Sequence, residues 1–139
     1  MATTDEDTGD GVTGHDPLGL GLRFKKVDFD DGRLPGLVAR FEPRDVHRGP
    51  PGHLHGGMAA TVLDETMASL GWALDSRPCV TAKLELRYRR AVPLVAGPLR
   101  IEAWRDRAEA RRTQRVHGRL MLADGTVCVE ATGLFVQAR

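Results

Sequence analysis

Through residues 78–92, "PCVTAKLELRYRRAV", apolar and polar side chains alternate singly: Val80, Ala82, Leu84, Leu86 and Tyr88 stand against Thr81, Lys83, Glu85, Arg87 and Arg89. A period of two marks a strand with one face on a core. Three more β segments follow. "GPLRIEAWRDRAEA" (97–110) opens on a Gly-Pro turn, and "RRTQRVHGRLML" (111–122) sets Val116, Leu120 and Leu122 on one face. An Asp124-Gly125 hairpin signal then turns the chain into "TVCVEATGLFVQAR" (126–139). Upstream, "LRFKKVDFDDGRLPGLVARFEP" (22–43) predicts two strands joined near Asp31-Gly32, although Phe24, Val27 and Phe29 leave the register loose.

Between these blocks the period changes. "GPPGHLHGGMAATVLDETMASLGWAL" (49–74) begins as a Pro/Gly loop and becomes a helix expected over 57–74. The prolines imply that the loop from Arg44 to His55 is not helical. Leu63, Met67, Leu70 and Leu74 share one broad helix face, expected against the sheet. Gly57, Ala60, Thr61, Asp64, Ala68 and Gly71 form a second face of small residues, expected to meet a partner subunit or a ligand. Two strands, one long apolar helix and four antiparallel strands predict an α+β fold with the sheet wrapped around the helix.

The chain has 139 residues, the size of one domain. Residues 1–16 are acidic and rich in Gly and Thr, and are expected to be disordered or weakly docked, leaving 17–139 as the domain. Lys and Arg number 20 against 19 Asp and Glu, so no net field favours a nucleic-acid partner. No apolar run reaches the length of a membrane span and no secretory signal pattern is visible, so a cytoplasmic protein without a membrane partner is expected. Cys79 and Cys128 match no metal or redox spacing and read as buried free thiols.

The helix carries the candidate chemistry. Its first amides lack intrahelical acceptors and sit at the positive end of the macrodipole. Gly56 and Gly57 would let a carbonyl oxygen reach those amides, as an oxyanion site requires; a glycine-rich entry turn explains the same dipeptide without chemistry. Asp64 lies mid-helix on the small-residue face, where a carboxylate needs a partner or a solvated cleft. It is either an ion-pair member or a general base or nucleophile, with Glu65, about 100° round the helix, an ordinary salt-bridged or rim carboxylate. His53 and His55 form a His-x-His pair without a suitable third ligand, so no metal is expected, and His55 is expected to anchor the loop. No serine occupies a nucleophile-elbow sequence.

At these residues the chain resembles the hotdog-fold acyl-CoA thioesterases, PaaI-like branch, over approximately residues 35–137. The likeness rests on "GPPGHLHGG", on "LDE" with Asp64 nine residues after His55, and on "VTAKLELRYRRAVPL". It implies one long central helix wrapped by an antiparallel β-sheet. By residue, it implies Asp64 as the catalytic acid, either base or nucleophile, and the Gly57 amide as the group polarising the thioester carbonyl. His55 and Gly56 would form the adjoining turn, and Thr81 would supply a hydroxyl orienting the attacking water. Many relatives carry Asn or Gln in the loop before His-Gly-Gly; this chain has Arg48-Gly49-Pro50 there.

Coenzyme A, as part of the substrate, would need cations for its phosphates. Arg87, Arg89 and Arg90 in "RYRR" are the first candidates, and a solvated strand edge is the plainer reading of each. Arg105, Arg107, Arg111, Arg112 and Arg115 are further ones. The combined expectation is a homodimer or dimer of dimers that hydrolyses an acyl-CoA or carrier-linked thioester without a cofactor. The alternatives are a non-hydrolytic acyl-CoA-binding hotdog protein and a hotdog hydratase or dehydratase.

Overall fold

Strands β1 (Arg23–Val27) and β2 (Gly36–Phe41) pair antiparallel across a turn in which Gly32 takes φ +93°. That left-handed value is one a side chain resists, so the Asp-Gly signal marks the reversal correctly. Helix α1 (Gly56–Asp75) follows, then β3 (Cys79–Tyr88), β4 (Leu99–Arg105), β5 (Thr113–Met121) and β6 (Val127–Gln137). The computed structural model describes residues 19–138, so the tail expected over 1–16 lies outside the described residues.

The six strands form one sheet in the order β1-β2-β4-β5-β6-β3, and every neighbouring pair is antiparallel. The two short connections β4–β5 and β5–β6 make a meander, whereas β2 leads through α1 to the far edge. The helix therefore crosses the inner face of the sheet and leaves β3 as an edge strand. This is the wrapped helix that the sequence predicts.

The core lies between helix and sheet. Val62, Leu63, Met67 and Leu70 pack with Leu37, Phe41, Ile101, Leu120, Val129 and Phe135, all essentially without solvent contact. Gly118 on β5 permits the close approach: a Cβ there would lie 2.7 Å from Met67 Sδ. Truncating Leu63 or Met67 to Ala would cost about 2–5 kcal/mol.

At its C-terminal end α1 is tied to the sheet by charge. Asp75 accepts from Arg105 at 2.6 and 2.9 Å, and Arg105 also donates to Gln114 Oε1 at 2.6 Å and to the Ala108 carbonyl at 2.8 Å. The Arg105 side chain is 5 % exposed, which removes it from the candidate phosphate ligands. On the outer face, the β1–β2 loop folds back so that Arg33 lies over the rings of Phe29 and Trp104. Arg33, Arg100 and Arg119 all bond the buried Glu102 carboxylate.

Five expectations need correction. The loop before α1 contains a 3₁₀ turn, Asp45–His47, which ends before the prolines begin to act. The segment 97–110 is a strand only to Arg105, because the charged residues beyond it form the β4–β5 connection. Gly71 belongs to a buried contact within the chain: a Cβ there would lie 2.6 Å from Cys79 Sγ. Cys79, correspondingly, is only partly buried, while Cys128 is fully so.

The fifth correction bears on the site. Alternation through β3 is broken by an irregularity in the register between Thr81 and Lys83. The extra residue reverses which parity faces the helix. Thr81 stands opposite the buried Phe135, and Leu84, Leu86 and Tyr88 stand opposite Gly133, Ala131 and Val129 on the same inner face. Val80 instead turns outward and is 56 % exposed.

Candidate active site

The loop that delivers His55 is held on both sides. Leu54 N–H donates to the Val92 carbonyl and His55 N–H to the His47 carbonyl, each at 2.9 Å. Gly49 allows this packing, since a Cβ there would lie 2.8 Å from His55 Cα. His47, which the sequence pattern did not single out, is buried against Phe41 and accepts from the Arg44 N–H through Nδ1. Burial, and then the nearby Arg44 charge, push its imidazole pKa down, so it is a neutral anchor for the loop. His53 turns back to the Pro51 carbonyl at 3.0 Å. Among the described residues no group of three or more His, Cys, Asp or Glu side chains gathers as a metal site would.

His55 is the N-cap of α1, and its Nδ1 accepts the Gly57 N–H at 2.9 Å. The amide expected to meet a thioester carbonyl is thus held by the neighbouring imidazole. The Gly56 N–H, one residue earlier, has no acceptor among the described residues. Tyr88, whose chemistry the sequence pattern gave no reason to single out, donates its hydroxyl to the Gly56 carbonyl at 2.7 Å. Tyr88, Gly56, Leu54, Ala59, Val92 and Val129 line a cavity of about 280 Å³, together with Arg89 and Arg90. Larger clefts of about 580 and 490 Å³ lie away from both glycines, beside Arg23, Arg40 and Arg44 and beside the β4–β5 connection.

Further along the helix, Thr81 donates its hydroxyl to Asp64 Oδ1 at 2.6 Å. Asp64 is half-buried and Glu65 is exposed. The fold brings together Asp64 with Thr81, and His55 with Gly56 and Gly57. It does not bring the two groups to each other within one chain: seven residues of helix separate Gly57 from Asp64 by about 10 Å. The arginines also divide. Arg89 pairs with Glu130 at 2.6 Å, and the Arg90 backbone is anchored on the Cys128 carbonyl. Arg87 lies opposite Glu130 on the outer face of β3, away from the cavity.

Residues 51–129 match the family model described as the thioesterase superfamily. Over 84 % of the chain, and 47 % of the relative, the sequence is 32 % identical to acyl-coenzyme A thioesterase THEM4 of Bos taurus. Against THEM4 of Xenopus laevis it is 30 % identical over 84 % of the chain and 52 % of the relative. The chain therefore spans about half the length of these curated relatives. A phenylacetic acid degradation-related protein of Ralstonia eutropha superposes with TM-score 0.70 at 30 % identity, over 84 % of this chain and 85 % of that one. The Lactococcus lactis protein yhdA, at 15 % identity, shares the fold with TM-score 0.75 over 86 % and 93 % of the two chains. No described helix is long and apolar enough to cross a membrane.

Proposed function

This chain belongs to the thioesterase superfamily and has its hotdog fold, and on that premise we propose that it hydrolyses an acyl-CoA or acyl-carrier thioester at the mouth and middle of α1. The observation that carries the reading is the 2.6 Å hydrogen bond from Thr81 to Asp64, on a helix whose first amide is open at Gly56. The named acyl-CoA thioesterases among the relatives favour coenzyme A as the carrier.

The carbonyl oxygen is received at the helix N-terminus by the Gly56 N–H, and by the Gly57 N–H once His55 releases it. Positive potential at the helix end and two aligned donors stabilise the charge that develops on that oxygen. Asp64 acts in one of two ways. As base it takes a proton from water while the water oxygen bonds to the carbonyl carbon. The tetrahedral intermediate then expels the thiolate, which takes up a proton. As nucleophile its carboxylate attacks the carbonyl carbon and expels the thiolate, which takes up a proton. Water then opens the resulting anhydride to the free acid and the Asp64 carboxylate. Thr81, bonded to one carboxylate oxygen, fixes the direction in which the other is presented. His55 serves as cap to the Gly57 amide, which leaves hydrolysis the chemistry best supported by the geometry.

A second copy completes the site. The free edge of β3 offers an unpaired ladder, and Ala60, Thr61 and Ala68 present short side chains beside Asp64. An antiparallel two-fold would bring Asp64 of one chain toward the glycine amides of the other. Two such sites form per dimer, and a dimer of dimers would double the count. Cys79 and Cys128, both unpaired thiols, fit a reducing cytoplasmic setting.

The test is a panel of acyl-CoA and acyl-carrier thioesters, followed by release of free thiol. Turnover of at least one class that Asp64→Asn abolishes supports the proposal. Tight binding across the panel with no thiol release would instead make the protein a carrier of acyl-CoA.

A further inference from the structure

The bond from Tyr88 to Gly56 has a consequence for the neighbouring amide. The Gly56 carbonyl and the Gly57 N–H belong to one peptide group. Its oxygen accepts from Tyr88 at 2.7 Å, and its N–H donates to His55 Nδ1 at 2.9 Å. Donation to the carbonyl draws the amide resonance toward the charge-separated form, which makes the N–H at the other end a stronger donor. It also fixes the plane of the peptide. The ring lies beside that glycine at ordinary contact distance, since a Cβ on Gly56 would meet Tyr88 Cε1 at 3.8 Å.

Placement of the hydroxyl follows from the strand. Tyr88 reaches α1 because it alternates with Leu84 and Leu86 on the helix side, and the irregularity between Thr81 and Lys83 brings Thr81 to that side as well. The same strand therefore contacts the proposed site twice, through Thr81 at Asp64 and through Tyr88 at the glycines. Although Tyr88 is 53 % exposed, its hydroxyl spends its proton on a backbone oxygen. Ring burial alone would be served equally by phenylalanine.

We propose that Tyr88 is a positioning residue that orients the Gly56–Gly57 peptide and sets the donor strength of its N–H toward the thioester carbonyl. This rests on the hydrolytic reading above and assigns Tyr88 no contact with the reacting atoms.

Tyr88→Phe keeps the ring and removes only the oxygen. The experiment compares the Gly57 amide 15N and 1H resonances of wild type and variant as full chains. It adds kcat, KM and Tm on the thioester that the wild type turns over fastest. The expected result is an upfield shift at Gly57 larger than at the other first-turn amides. With it should come a kcat about tenfold lower, less than the roughly hundredfold loss typical of deleting a donor outright, at nearly unchanged KM. Unmoved Gly57 resonances overturn the proposal whatever the kinetics. So does a shift with unchanged kcat, or a loss seen only in KM or Tm. A wild type that hydrolyses nothing in the panel fails the hydrolytic reading, and the Gly57 shift still decides whether Tyr88 governs that peptide.

Discussion

Asp64 and Thr81 share a hydrogen bond of 2.6 Å but have separate tasks in the proposed reaction. Asp64→Asn keeps the volume and a polar acceptor for Thr81 while removing the basic oxygen. Turnover should fall by about a hundredfold or more, the range for losing a general base, with binding of a non-hydrolysable analogue retained. Near-normal turnover would contradict the assignment. Thr81→Val removes the hydroxyl alone and should lower kcat more than it raises KM, since orientation matters only as the bond forms. A variant that loses stability with kcat per folded molecule intact would make Thr81 structural. At this scale the sequence was informative where a residue was out of place: a carboxylate in an apolar helix and paired glycines at its mouth. It was silent on Tyr88, because an aromatic residue on an alternating strand already has an explanation in packing. It was silent also on His55 Nδ1 holding the Gly57 amide, since the rotamer of a cap is set by local geometry that spacing does not encode.

The elements themselves were legible where periodicity is strong. Helix α1 runs one residue beyond the expected 57–74 at each end, and the Asp-Gly turns fall where they were expected. The irregularity in β3 was not legible, because Thr81-Ala82-Lys83 has no residue that demands it; the clean alternation on paper assigned Thr81 to the wrong face. What holds the far end of α1 was equally hidden, since Asp75 and Arg105 are 30 residues apart. An acidic residue at a helix C-terminus is unfavourable unless neutralised, and Arg105 neutralises this one. Arg105→Ala would leave Asp75 without its main partner in a site 10 % exposed and should cost about 3–5 kcal/mol in urea unfolding. The pH dependence has a definite sign. The hydrogen bond from Arg105 lowers the Asp75 carboxyl pKa despite burial, and for Glu102 burial is outweighed by Arg100, Arg119 and Arg33. Carboxylates with depressed folded pKa values contribute stability that is complete above about pH 5 and lost as pH falls through the folded values. Stability should therefore drop on acidification, with Asp75→Asn less stable at pH 7 and flatter below it. An acid profile unchanged by Asp75→Asn would show that the pair contributes nothing to the dependence.

For the whole molecule, the meander β4-β5-β6 could be read from its short turns, but the strand order could not. Only tertiary packing places β2 beside β4 and sends β3 to the opposite edge. That placement matters for function, because it exposes the edge of the strand carrying Thr81 and Tyr88. A single chain keeps the Gly56–Gly57 amides and Asp64 about 10 Å apart along α1, so the proposed reaction needs two chains to supply one site. The direct measurement combines two inactive variants. Asp64→Ala removes the carboxylate. Gly56→Pro removes the open amide at the first helical position, where proline is tolerated and where His55, at φ −64° and ψ 134°, already has the backbone that a following proline favours. Mixed in equal amounts, dissociated and reassembled, half the dimers carry one copy of each variant. Each mixed dimer then has one intact site and one doubly broken site. Activity should return to roughly a quarter of wild type, whereas no recovery, with subunit exchange confirmed by differently tagged chains, would contradict the shared site.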